Sequence, residues 1–179
     1  MLNYGLYQHI RNASWKCLID CHVTELPLKP VQIAAQYQLQ CVYDNIEQAG
    51  KVTSDGIILL NKNQSAQRQR FTVMHELGHY LLGHVGSNPR FRDSSRTEEE
   101  QAADRFAVGC LMPACVLWAL GIHTAEDIAK LCNVSMQAAQ IRAARMEVLY
   151  KRNMFLSHPL ERQVFRQLQE FINSQKGVI

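Results

Sequence analysis

The sequence predicts a mostly helical α+β fold with a small β-sheet. Over most of the 179 residues, apolar side chains recur at the three- and four-residue spacing of helices. Two short stretches, "LQCVYD" and "GIILLN", have instead the composition of strands. With 47% hydrophobic residues the chain can bury a core of its own, so we expect helices packed around one small sheet.

The charge balance indicates no particular class of partner. The chain has 19 basic and 16 acidic residues, a formal net charge of +3, which is too small to predict nucleic-acid or membrane binding. Its N-terminal residues lack the pattern of a signal peptide, and no apolar stretch approaches the ~20 residues that span a bilayer. The six cysteines are scattered, as expected of small buried residues in a reducing compartment. The sequence therefore predicts a cytoplasmic protein without a membrane association.

The first part of the chain supplies two helices and the strands. Residues 3–20 place apolar side chains near helical spacing, which predicts an amphipathic helix. A second helix is expected to begin at Pro30, because the fixed φ of proline suits a first turn. The two strands follow, the second introduced by the turn signal "SDG".

Two long helices come next. The first runs from about Gln64 and ends near Gly83 to Gly86, and residues 86–96 form a polar loop after it. The second is "TEEEQAADRFAVGCLM", which ends at Pro113 because proline cannot continue the helical hydrogen bonds. We expect these two helices to pack as an antiparallel pair.

The remaining residues predict shorter helices. Residues 124–147 have the shape of a helix-turn-helix with its turn at Asn133 to Ser135. A closing helix begins at Pro159. The expected inner face of the helix-turn-helix is Ile128, Ala129, Val134, Ala138 and Ile141, and that of the closing helix is Leu160, Val164, Leu168 and Phe171. We expect three parts: residues 1–113, a helix-turn-helix-like segment at 114–150, and a C-terminal helix at 151–179 that packs on the rest.

The first long helix contains the motif "HELGH". Its two histidines, His75 and His79, are four residues apart and so lie on one helix face, where both imidazoles can bind one metal ion. Glu76 is rotated to the side of that face, where it can accept a proton from a metal-bound water. The motif therefore predicts a zinc site that supports hydrolysis.

A catalytic zinc usually takes three protein ligands, so one more is needed. His84 is the nearest further histidine, but it follows His79 by five residues, whereas the established pattern with a third histidine requires six. We therefore expect His84 at a helix end, where it caps carbonyl groups or faces solvent.

The third ligand is expected at the start of the second long helix. In an antiparallel pair, His79 lies about five residues before the loop and position 100 about four after it, so their heights match at ~1.5 Å per residue. Glu98, Glu99 and Glu100 all lie near this height. Each could instead stabilise the helix N-terminus, where acidic side chains are favourable.

We choose Glu100 among the three, with Glu99 as the alternative. If Ser95 caps the helix, Glu98 becomes its capping-box partner and Glu100 is released, although Thr97 and Glu100 have the same spacing. Glu100 also lies on a face of the second long helix that is made of small residues, and this face would allow the two helices to approach closely. On that face, Asp104 could accept the outer N–H of a ligating histidine.

At this point the sequence resembles the ImmA/IrrE family of zinc metallopeptidases. The resemblance is carried by "QRFTVMHELGHYLLGH" (69–84) and "EQAADRFAVGCLMP" (100–113), with "GIILLN" before them and "IAKLCNVSMQAAQIR" after, so it covers roughly residues 30–147. The chain departs from the family pattern at Ala102, where an acidic residue is common.

This resemblance implies a zincin-like, gluzincin-type fold in which the HExxH helix packs on the second helix beside a small sheet. It implies that Zn²⁺ is bound by His75, His79 and Glu100, with Glu76 as the general base. Some members of the family cleave helix-turn-helix repressors of mobile elements or stress responses, so a similar protein substrate is implied here.

The expected reaction is the hydrolysis of a peptide bond, in which zinc polarises the scissile carbonyl and Glu76 passes a proton from water to the leaving amine. The oxyanion would need a further hydrogen-bond donor. The sequence offers five candidates without choosing among them: Arg68, Tyr80, His84, His123 and His158.

Two other classes of function compete with proteolysis. In a DNA-binding helix-turn-helix, Arg142 and Arg145 would be available for phosphates, but the reading helix begins with Ser135, Met136 and Gln137, which have little polar reach. Direct DNA binding is therefore less favoured than a helical platform that packs on the peptidase or docks its substrate. The third reading is a regulatory binding protein with a purely structural zinc.

Overall fold

The computed structural model describes residues 4–84 and 98–176, and within them the fold is mostly helical with a small mixed sheet, as predicted. The predicted loop at 86–96 and the candidate caps Ser95 and Thr97 lie outside the described residues. In chain order the elements are α1 (Tyr4–Asp20), α2 (Pro30–Gln36), β1 (Gln40–Asp44), β2 (Gly50–Val52), β3 (Ile57–Asn61), α3 (Ala66–Leu81), α4 (Glu98–Leu111), α5 (Ala114–Ala119), α6 (Ala125–Cys132), α7 (Met136–Arg152), α8 (Pro159–Gln167) and α9 (Gln169–Lys176).

The described residues belong to two compact units. The first comprises Met1–Ala13 with Lys29–Ala107, and the second Ser14–Leu28 with Val108–Ile179. The first unit contains the sheet and the HExxH helix, and the second contains the C-terminal helices. The predicted division at residues 113 and 150 stays a prediction.

The sheet has the strand order β1-β3-β2. β3 pairs in parallel with β1, with Gln40 opposite Ile57, and antiparallel with β2, with Gly50 opposite Leu60. β1 and β3 are the two strands predicted from the sequence. β2 was missed, because "GKV" is only three residues long and contains glycine and lysine, which are uncommon in strands.

Helix α3 begins and ends at identifiable signals. The Ser65 side chain accepts a hydrogen bond from the Arg68 backbone N–H at 3.2 Å, which satisfies one of the free donors of the first turn. The helix ends at Leu81, and Gly83 then adopts a φ of +77°, a conformation that glycine reaches without steric cost. The buried side of α3 includes Val73, Met74 and Leu77.

One described segment, Glu98–Ala119, is long and apolar enough to cross a membrane by length and composition alone. It consists of α4 and α5, with Pro113 between them, and most of it is buried inside the protein. Buried core helices pass the same test, so this is weak evidence for a membrane span.

In the second unit, the turn between α6 and α7 lies where it was predicted. Thr124 and Ser135 cap the two helices, and Asn133 ends α6 in the left-handed conformation with a φ of 51°. The prediction of the inner face of α7 was wrong, however. Ile141 is 63% exposed, and the buried residues are Ala139, Arg142 and Met146.

The error arose because an arginine was assumed to face solvent. Arg142 is only 8% exposed and Glu161 of α8 only 4%, and both lie close enough to Cys115 for their charges to act on its thiol. Burial raises the pKa of Cys115 to about 12; the Glu161 charge adds to this rise and the Arg142 charge opposes it. Arg142 is therefore not available for phosphates, contrary to the sequence prediction.

The predicted closing helix is divided into α8 and α9 at Leu168. Its buried side is formed by Glu161, Val164, Leu168 and Ile172, while Leu160 and Phe171 are half-buried. The Gln167 side chain donates hydrogen bonds to the carbonyl groups of Leu18 and Val23 at 2.8 and 2.7 Å. This contact fixes the C-terminal helices to the end of α1 within the second unit.

The six cysteines are all free thiols, and five of them are buried, as expected of small apolar residues; Cys41 on β1 is half-buried.

Candidate metal centre

His75 and His79 converge on one face of α3. Their Nε2 atoms are 3.1 Å apart, and the two rings meet edge to face with their centroids 4.7 Å apart. Four residues are about one helical turn, which is why the motif brings both nitrogens to one place. The His79 side chain is 5% exposed and that of His75 14%, so the protein largely fixes both rings.

Glu100 of α4 completes the group. Its Oε2 lies 3.3 Å from His75 Nε2, and its Oε1 lies 3.5 Å from His79 Nε2. One ligand atom from each of the three residues lies within 4.8 Å of the others. The Glu100 side chain is 29% exposed, so the group can be reached from solvent. Among the residues that the structure describes, these three form the group suited to hold a metal ion.

The donor set fits zinc. Two imidazole nitrogens and one carboxylate are the ligands of several catalytic zinc sites, in which a fourth position is left to water or substrate. Glu98 is exposed and Glu99 half-buried, and neither belongs to the group. The three residues chosen from the sequence are therefore brought together, while their action as ligands stays a prediction.

The close approach of α4 to α3 depends on Gly78, which lies between the two histidines. A Cβ at this position would lie 3.2 Å from the Ala103 Cα, 3.3 Å from the Ala103 oxygen and 3.0 Å from Cδ1 of Phe106. Two of these atoms are backbone and cannot move without moving α4. The small-residue face predicted on α4 thus meets a glycine on α3, and the contact sets the gap between Glu100 and the histidines.

We expect Gly78→Ala to destabilise the protein and weaken its binding of Zn²⁺. Helix propensity alone predicts the opposite, a gain of about 1 kcal/mol for alanine. Overpacking against fixed backbone costs about 1–3 kcal/mol and should prevail, leaving a net loss of up to about 2 kcal/mol. Urea unfolding of the metal-free variant measures this change, and an increase in the free energy of unfolding would contradict the packing argument.

Asp104 orients His75 from the side opposite to Glu100. Its Oδ1 lies 2.9 Å from His75 Nδ1, which leaves the Nε2 atom facing the rest of the group. Burial lowers the pKa of His75, but the hydrogen bonds to Asp104 and Glu100 and the charge of Glu76 outweigh burial and raise this pKa to about 9. Because a ligating histidine must be neutral, a metal ion would have to displace one proton from this ring.

Glu76 is held by the strand that the sequence did not reveal. The residue is 8% exposed, and its Oε2 accepts a hydrogen bond from the Val52 backbone N–H of β2 at 2.8 Å. The carboxylate is thus fixed beside the histidines by the sheet as well as by α3. No local signal near "HELGH" could predict this contact, because the donor lies 24 residues earlier in the chain.

His84 lies just after the end of α3, as expected, and makes one contact that the sequence did not predict. Its backbone N–H does cap the His79 carbonyl, at 2.9 Å, but its ring contacts the ring of His79, with the two Nδ1 atoms 3.1 Å apart. The chain turns at Gly83, which has a left-handed φ of +77°. Burial lowers the pKa of His84, and the charges of Glu99 and Glu100 oppose this change without reversing it.

The other candidates for an oxyanion donor have different surroundings. The His158 Nδ1 accepts a hydrogen bond from the Leu160 N–H, so this residue caps α8. The His123 ring packs on Tyr150 with the centroids 4.6 Å apart. Arg68 lies over the ring of Phe71, and Tyr80 is 39% exposed on α3.

Comparison with known proteins agrees with this geometry. A family model of peptidase family M78, described as the IrrE N-terminal-like domain, matches residues 19–144. No curated protein matches the chain. The matched range contains both helices of the metal centre and covers more than half of the sequence. The chain therefore belongs to the M78 peptidase family with the IrrE N-terminal-like domain, as its resemblance to ImmA/IrrE proteins predicted.

Proposed function

We propose that this protein is a zinc-dependent endopeptidase of the cytoplasm. The observation that carries the proposal is the convergence of His75, His79 and Glu100 beside the carboxylate of Glu76, in a chain that belongs to a peptidase family. The free cysteines, most of them buried, are typical of proteins from a reducing compartment. The substrate is a protein.

In this proposal the three ligands are His75, His79 and Glu100. Zinc bound by them would supply Lewis acidity toward the scissile carbonyl and the attacking water. The chain itself supplies the proton transfers. The Glu76 carboxylate, whose Oε2 accepts a hydrogen bond from the Val52 N–H, takes the proton of the water and then delivers it to the leaving amine nitrogen. The new C–O bond forms first, the C–N bond breaks once the amine nitrogen has received its proton, and one water is consumed.

Asp104 has the role of orienting His75. We expect Asp104→Ala to weaken Zn²⁺ binding roughly 10- to 100-fold, because the ring then loses the partner that fixes its tautomer and angle. Asp104→Asn should lose less, since the amide oxygen can still accept from the His75 Nδ1–H. Competition with a chromophoric chelator measures both affinities. Equal affinity of the alanine variant and the unsubstituted protein would remove Asp104 from the proposal.

For the substrate we propose a helix-turn-helix repressor that controls a mobile element or a stress response. This choice is supported by the resemblance of the metal-binding segments to ImmA/IrrE proteins. If the gene next to that of this protein encodes such a repressor, the repressor is incubated with the protein and Zn²⁺ and the fragments are mapped by mass spectrometry. We expect one discrete cut. Cleavage of unrelated peptides but not of the repressor would reject this substrate and retain the peptidase.

Direct DNA binding is not proposed. Of the two arginines considered for phosphate contacts, Arg142 is buried and Arg145 half-buried, and the exposed residues in the first part of α7 include Met136 and Ile141. Residues 136–141, the part that would enter a DNA groove, contain no basic side chain, and positive charge dominates DNA affinity. A mobility-shift assay across a salt series should therefore show no shift at physiological ionic strength.

A further inference from the structure

Each of the two ring nitrogens of His79 lies close to another histidine. Its Nε2 lies 3.1 Å from His75 Nε2 and 3.5 Å from Glu100 Oε1, while its Nδ1 lies 3.1 Å from the Nδ1 of His84. The two nitrogens of an imidazole point away from each other, so His84 contacts the side of the ring that does not face the other ligands. His84 therefore adds no fourth donor to the group, and its effect must pass through His79.

The direction of the hydrogen bond between His79 and His84 follows from which nitrogen of each ring carries a proton. A neutral imidazole has one N–H donor and one acceptor nitrogen, and a nitrogen that binds a metal carries no proton. If His79 Nε2 binds zinc, the proton of His79 is on Nδ1, which must donate. His84 Nδ1 then accepts, and His84 carries its own proton on Nε2. The 3.1 Å separation accommodates one such hydrogen bond.

The backbone places His84 at this position. Leu82 N–H donates to the Gly78 carbonyl, Gly83 N–H to that of Tyr80, and His84 N–H to that of His79 at 2.9 Å. Together with the left-handed φ of Gly83, these bonds end α3 and turn the chain so that the His84 ring lies against His79. The acceptor is thus held by the helix end itself, while the equivalent acceptor for His75, Asp104, comes from α4.

We propose that His84 is a positioning residue, whose Nδ1 accepts the hydrogen bond from His79 Nδ1–H and thereby fixes the tautomer and orientation of His79 for zinc. The inference rests on the proposed metal site. It assigns each histidine ligand its own acceptor, a carboxylate for His75 and a neutral imidazole for His79. A site with one charged and one neutral partner carries one negative charge fewer than a site with two carboxylates.

Two substitutions of His84 test the roles of its acceptor atom and of its ring independently. In His84→Asn the amide Oδ1 is bonded to Cγ, as Nδ1 is in histidine, so the acceptor is kept and the ring is lost. In His84→Phe the ring is kept and the acceptor is lost. We expect His84→Phe to weaken Zn²⁺ binding roughly 10- to 100-fold and His84→Asn to stay within about threefold of the unsubstituted protein. Chelator competition at one fixed pH measures the affinities, and thermal melting of the metal-free variants shows that they fold.

A packing role for the ring predicts the reverse order, with phenylalanine tolerated and asparagine harmful. The assignment would be overturned by this reverse order. It would also be overturned by equal losses of affinity in both variants, or by unchanged affinity of His84→Phe. If His84→Phe fails to fold, the unsubstituted protein loaded with Zn²⁺ still decides the question. Long-range ¹⁵N–¹H correlation should show a His79 proton on Nδ1 that exchanges slowly with water, and a rapidly exchanging proton would overturn the inference.

Zn²⁺ binding by the unsubstituted protein tests the metal site separately from the positioning role. Failure of the unsubstituted protein to bind Zn²⁺ would reject the proposed function and the positioning role with it. Tight binding by the unsubstituted protein together with unchanged binding by His84→Phe would reject the positioning role alone.

Discussion

Glu76→Gln is expected to reduce peptide hydrolysis by about 10²- to 10⁴-fold while zinc stays bound, because general base catalysis contributes rate enhancements of this size. A glutamine cannot take a proton from water at neutral pH. Its amide oxygen can still accept the hydrogen bond from the Val52 N–H, so the side chain keeps its contact with β2. The zinc ligands are untouched, and metal content should stay at one ion per chain.

The measurement uses a defined peptide library digested with the zinc-loaded protein and analysed by mass spectrometry, so that it does not depend on the identity of the natural substrate. Glu98→Gln is a suitable control, because it makes the same chemical change at an exposed position at the start of α4. Full activity in Glu76→Gln would refute the role of Glu76 as the base. Absence of cleavage by the unsubstituted protein would favour a purely structural zinc.

Glu100→Ala is expected to weaken Zn²⁺ binding by more than about 100-fold, since even the partners of ligands contribute roughly 10- to 100-fold to metal affinity. The variant removes both carboxylate oxygens that lie 3.3 and 3.5 Å from the histidine nitrogens. Two imidazoles would remain, one fewer than the three protein ligands that catalytic zinc sites use.

Glu99→Ala is the matched control, because it removes the same group from the adjacent position on α4 and was the alternative ligand. We expect it to bind Zn²⁺ with an affinity close to that of the unsubstituted protein, as measured by chelator competition. If Glu100→Ala keeps its zinc and Glu99→Ala loses it, the assignment of the third ligand is wrong.

Local sequence signals predicted the elements that carry the centre. The start of α2 at Pro30 and the end of α4 before Pro113 were each predicted from a proline at the end of the element. The antiparallel height argument placed Glu100 opposite the histidines, and the structure brings these residues together. Their function as ligands is still a prediction.

The features that the sequence did not predict depend on contacts distant in the chain or on the exact end of a helix. β2 exists because β3 offers it a partner, and its Val52 N–H then fixes Glu76. Arg142 is buried near Glu161 and Cys115, which are far from it in sequence, so a pattern of polar and apolar residues assigned it to the wrong face. The contact of the His84 ring with His79 was not predicted, because it arises where the chain turns at Gly83.

The hydrogen bond between the Val52 N–H and Glu76 Oε2 ties an acid on α3 to a strand of only three residues. In the proposed role of Glu76 as the base, this bond would immobilise the carboxylate before any substrate arrives, so that its rotational freedom would not be lost again during the reaction. The donor is a backbone N–H, so its position depends on the pairing of β2 with β3 and not on the side chain of Val52. The orientation of the proposed base is thus set by the pairing of an edge strand.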